Sequence, residues 1–199
     1  MSPSLSNAEN IIEVRALCRK FAGTYALNNV SFDVHKGEIL GFLGPNGAGK
    51  TTTMRIITGY LAPTRGTVTV AGMNVVMDST ETKKKIGYLP ENVAIYPEMR
   101  VTEYLKFRGY LKGLSGKKLR QRVDMVISLC GLTECSQKIV GTLSKGLKQR
   151  VGLADSIIHD PEILILDEPT IGLDPNQIRQ TRELIRNMAP LKTILLSTH

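Results

Sequence analysis

The sequence has no long hydrophobic run. Its apolar segments all fall short of the ~18 residues that a membrane-spanning helix requires, so they predict no membrane span. Residues 1–10 have neither a basic flank nor an apolar stretch, which is not the pattern of a secretory signal peptide. We expect this segment to form a short disordered tail. Internal repeats and low-complexity segments are also absent.

Cysteine is scarce, and its positions form no motif. Cys18, Cys130 and Cys135 make no Cys-x-x-Cys pair. Without an export pattern, we expect them to be the reduced thiols of a cytosolic protein.

Acidic residues are fewer than basic ones, 18 against 26, so the net charge is +8. A basic surface can meet nucleic acid, an anionic membrane face or nucleotide phosphates, and scattered solvated lysines are equally compatible with it. The one dense run is KKK at 83–85, which is too short to indicate a nucleic-acid patch.

The 199 residues predict one domain, and 42% hydrophobic content is ordinary for a globular protein. Its apolar runs are short and rich in branched residues. The runs ILGFL (39–43), ILIL (163–166) and TILLS (193–197) predict strands buried on both faces, in a parallel sheet covered by helices. The runs at 11–17, 30–34 and 67–70 alternate apolar and polar residues. They predict antiparallel strands with one solvent-exposed face.

Helical spacing of apolar residues occurs between these runs, at 49–60, 101–112, 116–130, 145–159 and 176–189. Strands that alternate with helices predict an α/β fold. Residues 98–140 show helices and no strand, so they predict a helical subdomain inserted into the core. The predicted organisation is one domain over 11–199, with 11–97 and 141–199 as its catalytic core.

The segment ILGFLGPNGAGKTTTMRIITG (39–59) carries the Walker A spacing of a P-loop NTPase core. A strand leads into a loop of small residues, whose backbone N–H groups can converge on phosphate oxygens. The following helix presents its N-terminus to the same anion. Lys50 is a mobile charge for the β- and γ-phosphates, Thr51 can ligate Mg²⁺, and Thr52 can reach the α-phosphate. The predicted nucleotide-binding residues of the loop are Gly44, Pro45, Asn46, Gly47, Ala48 and Gly49, followed by these three.

The segment EILILDEPT (162–170) runs four apolar residues into two carboxylates. This places Asp167 and Glu168 at the carboxyl end of a buried strand, where open α/β sheets bind ligands. Asp167 suits the Walker B role of holding Mg²⁺ together with Thr51, and Glu168 can polarise the attacking water. The two motifs together predict an ATPase that uses ATP and Mg²⁺.

Just upstream of that strand the chain reads LSKGLKQR (143–150), and here it resembles the ATP-binding-cassette (ABC) family. The signature of that family is Leu-Ser-Gly-Gly-Gln followed by a basic residue. Ser144 and Gly146 match it, while Lys145 and Leu147 replace a glycine and the glutamine. The resemblance implies a head-to-tail homodimer in which Ser144, Lys145 and Gly146 contact the γ-phosphate bound by the other copy.

The rest of the chain matches the family in order. The resemblance implies that Asp174, in GLDP (172–175), is the D-loop residue at the dimer seam, and that His199 is the switch histidine that orients the attacking water. It implies that Phe21 stacks on adenine, with Tyr25 as the substitute candidate.

One position departs from the family pattern. The glutamine of the family's Q-loop is replaced by Glu91 in IGYLPEN (86–92). A carboxylate is a better Mg²⁺ ligand than an amide, so Glu91 is interpreted as the Q-loop residue and as a candidate metal ligand beside Thr51 and Asp167. The following YPEMRVTEYL resembles the start of the helical subdomain in exporter-type cassettes.

The family resemblance implies the ATPase subunit of a membrane transporter, cytoplasmic and peripheral at the inner face of the cell membrane, with a separate permease. The alternatives are a soluble cassette acting on nucleic acid or ribosomes and a non-hydrolysing regulatory cassette. The lack of long heptad repeats and of a second cassette argues against the first, and the catalytic residues argue against the second. Family members usually continue past the switch histidine, so we expect the sequence to be a fragment with poor ATPase activity. Nucleic acid is not an expected partner.

Overall fold

The computed structural model of the protein describes residues 9–198. Its strands are β1 (Asn10–Phe21), β2 (Thr24–His35), β3 (Ile39–Leu43), β4 (Arg65–Val70), β5 (Met73–Asn74), β6 (Ile86–Leu89), β7 (Ile163–Leu166) and β8 (Thr193–Thr198). Its helices are α1 (Lys50–Ile57), α2 (Ser79–Lys85), α3 (Val101–Leu111), α4 (Gly116–Leu129), α5 (Lys145–Ile157) and α6 (Pro175–Met188). Short 3₁₀ turns lie at Thr133–Cys135, Val140–Thr142 and Ala189–Leu191.

The strands form two sheets, as the sequence predicts. An antiparallel sheet has the order β2-β1-β4-β5, and a parallel sheet has the order β3-β8-β7-β6. In the parallel sheet β8 lies between β3 and β7, so the carboxyl ends of these three strands share one edge. The loops that directly follow β3 and β7 therefore lie at the same edge of the sheet.

The apolar run of β7 is buried because its two faces meet different cores. Leu164 and Leu166 pack with α3, α4 and α5 on one face. Ile163 and Ile165 pack with α1 and the antiparallel sheet on the other. All four side chains are fully buried, which confirms the prediction for this strand.

The prediction that β3 is buried on both faces is wrong. Ile39 is 47% exposed and Leu43 is 77% exposed, while Leu40 and Phe42 are partly buried. Phe42 packs edge-on against Phe32 of the antiparallel sheet, with ring centroids 5.1 Å apart. Because β3 pairs only with β8 among the described residues, it is the edge strand of this sheet and buries one face.

Several boundaries differ from the sequence prediction. β1 begins at Asn10, inside the segment expected to be a tail, and residues 1–8 of that segment lie outside the described residues. Helix α2 was not predicted, and it absorbs the KKK run. Within that run Lys84 contacts Glu81 and Lys85 contacts Glu162, so these cations are engaged in local pairs.

Residues 98–140 contain α3 and α4 and are closed by an isolated antiparallel bridge between Arg100 and Ile139. All described cysteines are free thiols. Over residues 9–198, no helix combines the length and the hydropathy that crossing a membrane would require.

A buried ion cluster ties this helical segment to α5. The carboxylate of Asp155 lies 2.9 Å from Lys112 Nζ and 3.0 Å from Arg108 Nε, and the Tyr104 hydroxyl lies 3.3 Å away. Burial by itself would raise the pKa of Asp155, but Lys112 and Arg108 favour the charged form more strongly and lower it below its usual value. The cluster fixes the C-terminal half of α5 against α3.

We predict that Asp155→Asn lowers the free energy of unfolding by on the order of 2 kcal/mol near neutral pH, because a charge-assisted contact is lost. The pKa of Asp155 is lower in the folded protein than its unfolded value of about 3.9. Its ionised carboxylate therefore stabilises the fold fully above that unfolded value, and this contribution disappears as the pH falls through the folded pKa. The difference between wild type and variant, measured by urea unfolding, should therefore be full at about pH 6 and shrink below about pH 4. Exposed Asp124→Asn is the control, with no such difference. An Asp155→Asn gap that persists unchanged at low pH would contradict this account.

Candidate functional site

The loop between β3 and α1 forms the floor of the candidate site. α1 begins at Lys50 with no acidic side chain in its first turn and no side-chain cap. Its free N–H groups and the positive end of its dipole are therefore available to an anion. A cavity of about 380 Å³ opens here. Its lining consists of Pro45, Asn46, Gly47, Ala48, Gly49, Lys50, Thr51, Thr52, Glu91, Glu168 and Ile171.

Gly49 is required by both its conformation and its surroundings. Its φ is +88°, in the left-handed region. A Cβ placed on it would lie 2.5 Å from Leu27 Cδ2 and 2.8 Å from the Ala26 carbonyl oxygen. The start of α1 therefore packs directly against β2, and this contact fixes the position of the loop relative to that strand.

Lys50 reaches across the cavity toward the second motif. Its side chain is 9% exposed, and Nζ donates to the carbonyl oxygen of Gly44 at 2.5 Å. The same ammonium lies 3.5 Å from Glu168 Oε1. The charge that the sequence assigns to phosphate binding thus lies beside the carboxylate that it assigns to catalysis.

Asp167 and Glu168 follow β7 and are almost fully buried. Thr51 Oγ1 donates to Asp167 Oδ1 at 3.1 Å, which joins positions 116 residues apart. Asp167 Oδ2 is buried and has no hydrogen-bond partner among the described residues. A hydroxyl and a carboxylate with one such oxygen are hard ligands of the kind that Mg²⁺ prefers, so the residues fit this ion.

Glu168 has a left-handed backbone with φ +49°, which is uncommon for a residue other than glycine. Such conformations persist where the surrounding structure imposes them, and they concentrate at functional sites. Glu91, in the loop that follows β6, lines the same cavity. The structure therefore brings Lys50, Thr51, Asp167, Glu168 and Glu91 together.

The signature residues lie elsewhere. Ser144 caps α5 by accepting a hydrogen bond from the Leu147 N–H at 3.3 Å. Gly146 is buried against the side chain of Gln177 in α6, and Lys145 is exposed. None of the residues 144–146 lines the P-loop cavity of the same chain.

Three further residues that the sequence predicts for the site do not line the cavity: Asp174, Phe21 and Tyr25. Asp174 caps α6 by accepting from the Gln177 N–H at 2.9 Å. Phe21 and Tyr25 are 44% and 50% exposed. The ring of Phe21 lies under the Arg19 guanidinium, and neither ring lines the cavity. His199 lies outside the described residues.

Sequence reasoning missed two residues beside Asp167. Tyr88 of β6 is partly buried, and burial together with the Asp167 carboxylate raises its pKa to about 12. Ser197 of β8 is fully buried and donates to Asp167 Oδ1 at 2.7 Å. The available signal was a hydroxyl near the end of an otherwise apolar strand.

The geometry of the cavity is that of a nucleotide-binding P-loop, and comparison with known proteins decides the family. The sequence profile described as "ABC transporter" matches residues 27–171. The chain belongs to the ABC transporter family.

Among curated ABC relatives, the chain is 39% identical over 189 residues to the uncharacterized ABC transporter ATP-binding protein YxlF of Bacillus subtilis, covering 95% of this chain and 62% of that protein. It is 37% identical over 191 residues to the bacitracin transport ATP-binding protein BcrA of Bacillus licheniformis, covering 95% and 61%. The chain thus spans about three fifths of the length of these curated relatives.

Solved cassettes share the fold. CbiO1 of Clostridium perfringens, described as part of the ABC transporter complex cbiONQ, aligns with a TM-score of 0.85 and 29% identity, covering 96% of this chain and 78% of that one. The cassette MJ0796, solved as a dimer in a post-hydrolysis state bound to ADP and phosphate, aligns at 0.84 with 26% identity, covering 94% and 88%.

We predict that Gly49→Ala destabilises the protein more than Gly47→Ala. Both residues have positive φ, so each alanine incurs about 1–2 kcal/mol of backbone strain. Only at position 49 does the added Cβ also overlap Leu27 and Ala26, which costs a further ~1–3 kcal/mol. Urea unfolding without nucleotide measures both variants. Equal losses would show that the start of α1 is not held against β2.

Proposed function

We propose that the chain is the ATP-binding and ATP-hydrolysing subunit of a membrane transporter. The observation that carries this proposal is the meeting of the two motifs at one cavity. Lys50 lies 3.5 Å from Glu168, and Thr51 donates to Asp167. Family membership supports the same reading, since the residues that carry out hydrolysis in the family's motifs are all present in this sequence.

In this proposal the P-loop binds the triphosphate. Backbone N–H groups of residues 46–49 and the N-terminus of α1 would face the phosphates, and Lys50 supplies the mobile charge. Thr51 and Asp167, with Glu91 as a further carboxylate at the cavity, would hold Mg²⁺. The ion neutralises phosphate charge when it is bound. Phe21 is the proposed adenine-stacking ring, and Tyr25 is the substitute.

Glu168 is the proposed general base. Its carboxylate faces the cavity beside Lys50 and can accept a proton from a water that attacks the γ-phosphate. A phosphate that attracts the Lys50 ammonium would weaken its pairing with Glu168. His199 is proposed to orient the same water.

The signature acts in trans in this proposal. The α5 N-terminus has no acidic residue in its first turn, and Ser144 and Lys145 are exposed there. Because residues 144–146 do not line the cavity of their own chain, the anion for which they are suited lies on a second copy. Asp174, at the exposed start of α6, is proposed to lie at the seam of this head-to-tail homodimer. Among the structural neighbours, MJ0796 is described as dimeric.

Residues 98–140 are the proposed subdomain that contacts a separate permease, which places the protein at the inner face of the cell membrane. The matched proteins include bacitracin transport, multidrug and Nod factor export ATP-binding proteins. These names favour the transporter over a soluble cassette that acts on nucleic acid or ribosomes, and they favour export.

We predict that Glu168→Gln leaves ATP binding intact but lowers ATP hydrolysis by about 10²–10⁴-fold, because the proton acceptor is lost while the shape is kept. The variant should accumulate as an ATP-bound dimer. Measurements are nucleotide binding, phosphate release and light scattering on the protein assembled with its permease. Glu162→Gln, at the opposite end of β7, is the control with normal turnover. Hydrolysis by Glu168→Gln at the wild-type rate would assign catalysis to another residue.

We predict that Ser144→Arg abolishes turnover while a single chain still binds ATP, because the change removes the α5 cap and blocks the contact to the second copy but leaves the P-loop cavity of its own chain intact. Ser115→Arg places the same side chain at the N-cap of α4 and should leave turnover unchanged. Binding of a fluorescent ATP analogue to the monomer and hydrolysis by the assembled transporter separate the two effects. A parallel loss of monomer binding in Ser144→Arg would mean that the signature acts in cis.

A further inference from the structure

Ser197 occupies the one strand that lies between the two nucleotide motifs. β8 pairs with β3, which leads to the P-loop, and with β7, which ends at Asp167. The Ser197 side chain is completely buried. Its hydroxyl donates to Asp167 Oδ1 at 2.7 Å and accepts from the Glu168 backbone N–H at 2.8 Å.

The direction of these hydrogen bonds is fixed by chemistry. A backbone N–H can only donate, so Ser197 Oγ must accept from Glu168. An ionised carboxylate can only accept, so the single hydroxyl proton of Ser197 must point to Asp167. The contacts therefore form one chain that runs from the Glu168 N–H through Ser197 to Asp167.

This chain makes the two oxygens of Asp167 unequal. Thr51 and Ser197 both donate to Oδ1. Oδ2 is buried and has no hydrogen-bond partner among residues 9–198. Two donors on one oxygen restrain rotation of the carboxylate and leave the other oxygen without a donor.

The same hydroxyl also restrains the backbone of the proposed general base. Glu168 has a φ of +49°, and its N–H is held by Ser197 rather than by a ladder partner. A purely structural buried serine can be satisfied more simply. Ser156, equally buried, donates to the backbone carbonyl of Leu153 at 2.7 Å.

We propose that Ser197 is a positioning residue for the Mg²⁺ site, acting through Asp167, and that it also sets the backbone of Glu168. This inference rests on the proposed assignment of Asp167 to Mg²⁺. Hydrogen bonds from outside the coordination shell orient the ligating group, and their loss commonly weakens metal affinity by about 10–100-fold.

The test is the Mg²⁺ requirement of nucleotide binding, measured with a fluorescent ATP analogue at increasing Mg²⁺ and in EDTA. Ser197→Ala should raise the half-saturating Mg²⁺ concentration by about 10-fold or more, while binding in EDTA stays unchanged. Ser197→Thr retains the hydroxyl and should return the requirement toward wild type. Ser156→Ala loses a buried hydroxyl away from the site and should leave the Mg²⁺ requirement unaltered.

An unchanged Mg²⁺ requirement in Ser197→Ala overturns the inference, as does an equal rise in Ser156→Ala. If Ser197→Ala does not fold, Ser197→Cys replaces it, because a thiol keeps most of the volume and donates only weakly; its Mg²⁺ requirement must rise for the inference to stand. Asp167→Asn separates the two proposals. Loss of Mg²⁺ dependence there, without an effect at Ser197, rejects only the role of Ser197, whereas no effect at Asp167 rejects the metal assignment itself.

Discussion

The hydrogen bond between Thr51 and Asp167 is the contact on which the site depends. It joins the start of α1 to the end of β7, two points separated by 116 residues. The parallel order β3-β8-β7 makes this possible, because strands that run the same way deliver their following loops to one edge. With β8 between them, the P-loop and the carboxylates are one strand apart, which leaves room for a serine of β8 to contact Asp167 as well.

Helix α5 connects this edge to the rest of the molecule. Its N-terminus carries Ser144, and near its other end Asp155 is held by Arg108 of α3 and by Lys112, which directly follows α3. Arg122 of α4 also donates to the carbonyl oxygens of Ile157 and Ile158, where the helix ends. A helix of 13 residues is roughly 20 Å long and stiff. Helix α5 is therefore held by the helical segment 98–140 at its C-terminal end, while Gly146 at its start packs against Gln177 of α6.

A feature could be predicted from the sequence when the residues that form it are close together in the chain. Each Walker motif is contiguous in the chain, so residue types and their order were enough to locate it. The burial of β3 was predicted wrongly because ILGFL and ILIL read alike, and only sheet order distinguishes an edge strand from a central one. Ser197 and the Asp155 cluster escaped prediction because their partners lie 29 to 51 residues away. Neither position shows a local pattern.

Helices α1 and α5 both begin without an acidic side chain in the first turn, yet their surroundings differ. α1 opens into a cavity with carboxylates and a lysine of its own chain, which can complete the coordination of a metal-bound triphosphate. α5 opens to solvent with Ser144 and Lys145 exposed, and no part of the P-loop cavity reaches it. An anion that faces a helix N-terminus interacts favourably with the helix dipole, and a lysine at that end adds to the attraction. Under the proposed dimer, the nucleotide on one copy supplies that anion to the other. Bound triphosphate would then favour closure, because it adds the negative charge that the N-terminus of α5 and Lys145 attract.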